Sequence, residues 1–212
     1  MEQEIRDSGV VPLGGVPWGT HVCHFYETKD EVLEILVPYS RAGLENEEYC
    51  VWVCSDPVGV EEALDALQEA VPGLQEYLET GQLEVVRFDG WYLRPDGSFA
   101  AEEVLRRWKM KLVQARAAGY QGVRLAGNAS WVESRLWKAF EDYEASLSGS
   151  IGKDNILVVC SYPSSQVRTY RSWPRDSACV LKPRTTMRRF LRRFQTTVAV
   201  TTSRLFPRGG TA

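Results

Sequence analysis

The sequence predicts a three-layer α/β domain, with a mostly parallel central sheet covered by helices on both faces. Three observations carry this. Short runs rich in Val, Cys and aromatic residues are apolar at odd and even positions alike, as in Cys50-Val-Trp-Val-Cys54 and Ile156-Leu-Val-Val-Cys160. Strands buried on both faces read this way. Longer segments of helical period alternate with the runs, and the helices open on capping residues, which gives the strand–helix repeat of a parallel sheet.

The predicted strands are His21–Tyr26, Tyr49–Ser55, Leu83–Phe88, Gly122–Ala126, Ile156–Ser161 and Ala178–Leu181. A first helix follows the capping box Thr28-Lys-Asp-Glu31, in which hydroxyl and carboxylate satisfy orphan N–H groups reciprocally. It runs to about Gly43 and buries Val32, Leu33, Leu36, Val37 and Leu44. Asp56-Pro57 offers an N-cap followed by proline at the first helical position, so a second helix is expected from Pro57 to the Pro72-Gly73 stop. A third, from Ala100 to Gly119, presents Val104, Leu105, Trp108, Leu112 and Ala115. A second box, Ser130-Trp-Val-Glu133, predicts a fourth helix from Val132 to Leu147 with Leu136, Phe140, Tyr143 and Leu147 inward.

Composition narrows the function classes. Of 212 residues, 44% are hydrophobic and 25% charged, as in an ordinary globular protein. No run of about 18 apolar residues is present to span a membrane, and Met1–Asp7 lacks the apolar stretch of a secretory signal. Five cysteines without CxxC spacing read as reduced, buried thiols in a cytoplasmic protein. The net charge of −3 hides an asymmetry: from Arg184 onward there are seven arginines and no acid. The chain divides into an extension (1–10), the main domain (11–183) and a basic tail (184–212). Met187–Phe194 has the pattern of a short basic amphipathic helix. No helix-turn-helix or zinc-finger pattern accompanies it, and an acidic body opposes approach to DNA, so direct DNA binding is not expected.

In an open parallel sheet, ligands bind beyond the carboxyl ends of the strands. There the sequence places Tyr26, Glu27, Ser55, Asp56, Asp89, Trp91, Tyr92, Asn128, Trp131, Ser161 and Tyr162, an aromatic rim with few charges that suits a small organic ligand or packs over the sheet end. A phosphate cradle is missing: Tyr26-Glu-Thr-Lys-Asp30 has no glycine, and its acids would repel a phosphate. The strand ending at Ala126 is followed by Gly127-Asn128, with no acid for Mg²⁺. His24 could meet Cys54 and Cys160 were their strands neighbours, whereas His21, three residues earlier, must face the other way. The expectation is core thiols, no metal, no cofactor and no nucleophilic catalysis. Glu144 borders the apolar stripe of its helix. It either reaches into the pocket as a polar contact or base, or snorkels to water.

Several segments resemble one known family. Pro17-Trp-Gly-Thr-His-Val-Cys-His-Phe-Tyr-Glu27 is similar to the opening motif of the MEDS domain, the sensory domain of methanogen, methylotroph and dichloromethane-regulator-type proteins. Val53-Cys-Ser-Asp-Pro57, Asp89-Gly-Trp-Tyr92, Gly127-Asn-Ala-Ser-Trp131, Tyr143-Glu144 and Cys160-Ser-Tyr162 fit the same pattern, from about Val11 to Leu181. The resemblance implies a RecA/KaiC-like fold without its P-loop, sensing of small hydrocarbon derivatives, and linkage to a kinase or transcription regulator. It marks His21, His24, Tyr26, Glu27, Asp56, Trp91, Tyr92, Asn128, Trp131, Tyr143 and Glu144.

The expectation is therefore a non-enzymatic sensor that binds a small organic ligand and acts through a regulatory protein partner, with a homodimer left open and no membrane involved. Trp91, Tyr92 and Trp131 would wall the pocket, Tyr26, Asn128 and Glu144 would supply polar contacts, and the Asp89–Ser98 loop would move. A nucleotide-binding domain without hydrolysis and a pure interaction adaptor are the alternatives.

Overall fold

The computed structural model describes residues 4–169 and the short strand Val180–Leu181. Ala178 and the basic segment 184–212 lie outside the described residues. The strands are β1 (Ile5–Asp7), β2 (Gly15–Pro17), β3 (His21–Tyr26), β4 (Tyr49–Cys54), β5 (Leu83–Arg87), β6 (Val123–Asn128), β7 (Ile156–Pro163) and β8 (Val180–Leu181). The helices are α1 (Lys29–Glu45), α2 (Val60–Ala70), α3 (Leu74–Glu79), α4 (Phe88–Tyr92), α5 (Ala101–Ala117), α6 (Trp137–Ile151) and α7 (Ser164–Thr169). β3 to β8 form one parallel sheet in the order β5-β4-β6-β7-β3-β8, and β1 pairs with β2 in a separate antiparallel hairpin.

Every residue of β3, β4 and β6 is buried, which is why their sequences carry no polar–apolar alternation. Strand parity sorts the side chains into two cores. Cys23, Phe25, Val51, Val53, Leu125, Val158 and Cys160 meet Trp108 and Leu112 of α5 and Phe140, Tyr143 and Leu147 of α6. On the opposite face Val22, Trp52, Ala126 and Val159 meet Val32 and Leu36 of α1 and Ala63 and Leu67 of α2. No helix among the described residues is long and apolar enough to cross a membrane.

The first capping box forms as the sequence implies: Thr28 Oγ1 accepts from Glu31 N, and Glu31 Oε2 accepts from Thr28 N, both at 3.3 Å. The other two helix starts differ. Ser55–Val58 is a tight turn, with Val58 N donating to Ser55 O (3.1 Å), and Asp56-Pro57 is cis. Helix α2 therefore begins only at Val60, where Glu62 accepts from Gly59 N. The Ser130 box does not form either, because Ser130 Oγ bonds Ser55 Oγ (2.9 Å) across the sheet end and Glu133 pairs with Arg135. Helix α6 starts five residues later than predicted, at Trp137. Within Asp89–Ser98, the first half is helical, since one turn lets the adjacent Trp91 and Tyr92 both point inward. The second half is a turn closed by Arg94 and Ser98.

One buried ion pair fastens the hairpin to the sheet. Arg124 on β6 is 1% exposed and pairs with fully buried Glu48. Its remaining donors reach the carbonyls of Asp7 (2.8 Å), Ser8 (3.2 Å) and Tyr39 (2.9 Å), and its guanidinium lies 4.8 Å over the Tyr39 ring. Gly43 makes room for it, since a Cβ there would stand 2.7 Å from Arg124 Cδ.

Candidate functional site

Two polar clusters lie on opposite faces of the sheet, one at the carboxyl ends of the strands and one that reaches back to His21 at the start of β3. The first is at the switch point. β4 is followed by α2 on one face and its neighbour β6 by α6 on the other, so a crevice is expected between the two strand ends. Here the crevice is latched by hydrogen bonds. Tyr26 donates to Asn128 Oδ1 (2.9 Å), Asn128 Nδ2 donates to Asp56 O (2.9 Å), and Ser55 Oγ donates to Asn128 O (2.9 Å). Ser130 N also donates to Asn128 Oδ1, at 3.0 Å. His24 stands beside this latch, with Nδ1 3.0 Å from Ser161 Oγ. Burial lowers His24 to a pKa of about 4, so it is neutral at pH 7, and burial raises Tyr26 to about 12.

The second cluster lies under α4, α5 and α6. Trp131 stacks on Tyr92 (4.9 Å between centroids) and on Phe88 (5.8 Å), and meets Phe140 edge-on. Trp91 packs against Trp108 at 4.6 Å, and Phe99 meets Tyr143 edge-on. Such pairs contribute about 0.5–1.5 kcal/mol each beyond their area burial. Beneath it are polar groups: the hydroxyls of Tyr92, Tyr143 and Tyr162, the Cys160 thiol, the Glu144 carboxyl and the His21 imidazole. Trp108 Nε1 donates to Tyr143 Oη at 2.8 Å. Neither Glu144 oxygen, nor His21 Nε2, nor the indole nitrogens of Trp91 and Trp131 makes a hydrogen bond of good geometry.

His21 and Glu144 define the electrostatics of this nest. His21 Nε2 and Glu144 Oε2 face each other at 3.3 Å, and both side chains are at most 3% exposed. Ser148 Oγ donates to the Glu144 carbonyl (3.3 Å) and lies 2.8 Å from His21 Nδ1. In the tautomer with Nδ1 donating to Ser148 Oγ, Nε2 presents a lone pair to the carboxyl. Burial raises Glu144 to about 7 and lowers His21 to about 4. A neutral acid facing a neutral imidazole is the form this apolar shell favours.

Gly127 is the small residue that admits Tyr92. A Cβ on Gly127 would lie 2.8 Å from Tyr92 Oη, and Tyr92, wedged between Trp108, Trp131 and Tyr143, has no room to retreat. Gly127→Ala should destabilise the fold by about 1–3 kcal/mol, the usual cost of overpacking. Tyr92→Phe should relieve most of it, giving a coupling of at least about 0.5 kcal/mol in a urea-denaturation double-mutant cycle. Additive effects would contradict this contact.

The marked residues are thus divided. His24, Tyr26 and Asn128 belong to the latch, and Asp56 joins it only through its backbone carbonyl, its side chain being exposed. Trp91, Tyr92, Trp131, Tyr143 and Glu144 line the nest. Glu27 is exposed and joins neither; its N–H donates to Glu31 at the start of α1. Glu144 does not snorkel to water. His24, Cys54 and Cys160 do not converge, because Cys160 faces α6 while His24 and Cys54 face the other way. It is His21 that reaches Cys160, since both share the parity of Cys23 and Phe25. Cys160, Tyr162 and Phe99 join the nest, and strand parity could have found the first two.

A profile of the family described as "MEthanogen/methylotroph, DcmR Sensory domain" (MEDS) matches residues 20–171. The chain belongs to the MEDS family. It is similar to the transcriptional repressor DcmR of Methylorubrum extorquens, with 26% identity over 160 residues. That match takes in 74% of this chain and 56% of the relative, so the MEDS chain spans a little over half the length of that protein. Among solved structures it is similar to the KaiC-like protein PH0186 of Pyrococcus horikoshii OT3, at a TM-score of 0.51 and 15% identity over 77% of this chain and 72% of the other. The MEDS fold here is thus RecA-like. Only Glu27 and Thr28 separate β3 from α1, with no glycine between them.

Proposed function

We propose that this MEDS domain is a non-enzymatic sensor whose small organic ligand enters the aromatic nest on the α6 face and whose signal passes to a regulatory protein. The observation that carries this reading is a set of buried polar groups among aromatic rings: the indole nitrogens of Trp91 and Trp131, which make no hydrogen bond, and the Glu144 carboxyl, held among His21, Cys160 and Tyr162. A small ligand with an apolar body and one polar group would satisfy them while keeping the shell dry. Trp91 and Trp131 are the walls, and Tyr92, Tyr143 and Glu144 the polar contacts. Kinship with a transcriptional repressor supports a role in transcriptional control.

The segment Asn128–Trp131 gives the ligand a lever. Asn128 and Ser130 hold the latch, and Trp131 walls the nest. A ligand that moves Trp131 favours one latch state over the other, and such unequal binding of two conformations is the only way a ligand transmits a signal.

The test is a thermal-unfolding screen of chelator-treated protein against short-chain alcohols, ketones, amines and alkyl halides, with MgATP in parallel. At least one organic compound should raise the Tm, and Tyr92→Phe or Trp131→Phe should abolish the shift without unfolding the protein. Stabilisation by MgATP alone would favour a nucleotide-binding domain and sink the proposal. A shift that survives both substitutions would move the ligand away from this nest.

A further inference from the structure

We infer that His21, Glu144 and Cys160 form a binding site for a divalent transition metal of the zinc class. The site goes beyond the organic-ligand reading and does not depend on it. The three residues come from β3, α6 and β7, and their donor atoms all lie within 4.8 Å of one another. All three side chains are buried.

Three features distinguish this cluster from chance proximity. His21 Nε2 and Glu144 Oε2 face each other in a fully buried setting, and the Cys160 thiol meets the same carboxyl, so three donors of different chemistry converge on one point. The His21–Glu144 separation of 3.3 Å matches two donors on one tetrahedral ion, since metal bonds of about 2.0–2.1 Å at the tetrahedral angle place N and O about 3.3 Å apart. And the His21 ring is already oriented: the 2.8 Å contact between Nδ1 and Ser148 Oγ turns Nε2 towards Glu144, and in the tautomer with the proton on Nδ1 the Nε2 lone pair is free to ligate.

The donor set decides the ion. One thiolate sulfur, one imidazole nitrogen and one carboxylate oxygen suit Zn²⁺ or Co²⁺, whereas Mg²⁺ and Ca²⁺ require oxygen ligands. Binding releases the thiol proton and the carboxyl proton to solvent, so the divalent ion with one thiolate, one carboxylate and a neutral imidazole is a site of zero net charge with one coordination position left open.

The 212-residue protein, stripped with a chelator and dialysed, would be titrated with Co²⁺ and followed by absorption. We expect a thiolate-to-cobalt charge-transfer band saturating at one ion per chain and displaced by Zn²⁺. Cys160→Ser should remove the band, and Cys54→Ser, on the opposite face, should keep it. Ser148→Ala changes an outer-shell group on a helix and should fold normally, yet weaken Co²⁺ binding by about 10–100-fold. No charge-transfer band in the wild-type protein, or a band that survives Cys160→Ser, would overturn the site. Because the ligand screen is read on chelator-treated protein, either result leaves the organic-ligand reading to its own test.

Discussion

Arg124→Ala should destabilise the protein by roughly 3–5 kcal/mol, the loss expected when one partner of a buried ion pair is removed. The reason is what remains. Glu48, fully buried, would keep only Arg6 as a partner, at 2.9 Å, and the carbonyls of Asp7, Ser8 and Tyr39 would lose their shared donor. Against a typical total stability of about 5–15 kcal/mol, that approaches a folding defect. Replacing the pair together, as Arg124→Met with Glu48→Leu, should recover much of the loss, because no charge is then stranded. Lys138→Ala breaks an ion pair too, but its side chain is 77% exposed, and it should change stability by less than about 0.5 kcal/mol. Urea-denaturation midpoints of these variants check the series. A loss for Arg124→Ala no larger than that for Lys138→Ala would refute the clamp.

Glu144→Gln should make chelator-treated protein relatively more stable as the pH rises from 5 to 8. Burial raises the folded-state pKa of Glu144 from 4.5 to about 7. Between those values the folded state holds a proton that the unfolded state has lost, so stability falls as pH increases. Above pH 7 the wild type carries the full penalty, about 3 kcal/mol from a shift of that size, and the glutamine variant carries none of it. His21 acts in the opposite sense. Its folded pKa is lowered from 6.5 to about 4, so its contribution is complete above 6.5 and is lost as pH falls towards 4. Between about pH 4.5 and 6.5 the two trends cancel in the wild type, and Glu144→Gln leaves the His21 slope exposed. His24, lowered in the same way beside the neutral Ser161 hydroxyl, adds to that acid-side loss. Tm profiles from pH 4 to 8 test this, and parallel profiles for wild type and variant would contradict it.

Much of the fold was legible because burial on both faces leaves a strong mark. His21–Tyr26 was predicted to the residue, and the Thr28–Glu31 box forms because its partners are local. The Ser130 and Asp56 signals were equally good locally, but the segments carrying them meet across the sheet end, where Ser130 finds Ser55 and the Asp56 carbonyl finds Asn128. A capping signal competes with any tertiary partner for the same hydroxyl. Helix α4 left no periodic trace, being a single turn around Gly90 that buries Trp91 and Tyr92. The residue types of the site were also readable, but their grouping was not. Rim position along the chain says nothing about which face a side chain takes: parity sends Tyr26 and Asn128 to one side of the sheet and Cys160 and Tyr162 to the other, where α6 brings Glu144. Parity also replaces His24 by His21 as the neighbour of Cys160.

The central claim is that a small organic molecule occupies the aromatic nest. Native mass spectrometry of freshly purified protein, with and without added MgATP, tests it most directly, with chelator treatment to remove any metal. The account predicts a small adduct that persists after chelation, disappears on denaturation and is missing from the Tyr92→Phe and Trp131→Phe proteins. A chain that stays bare without nucleotide and gains mass only with MgATP would contradict it.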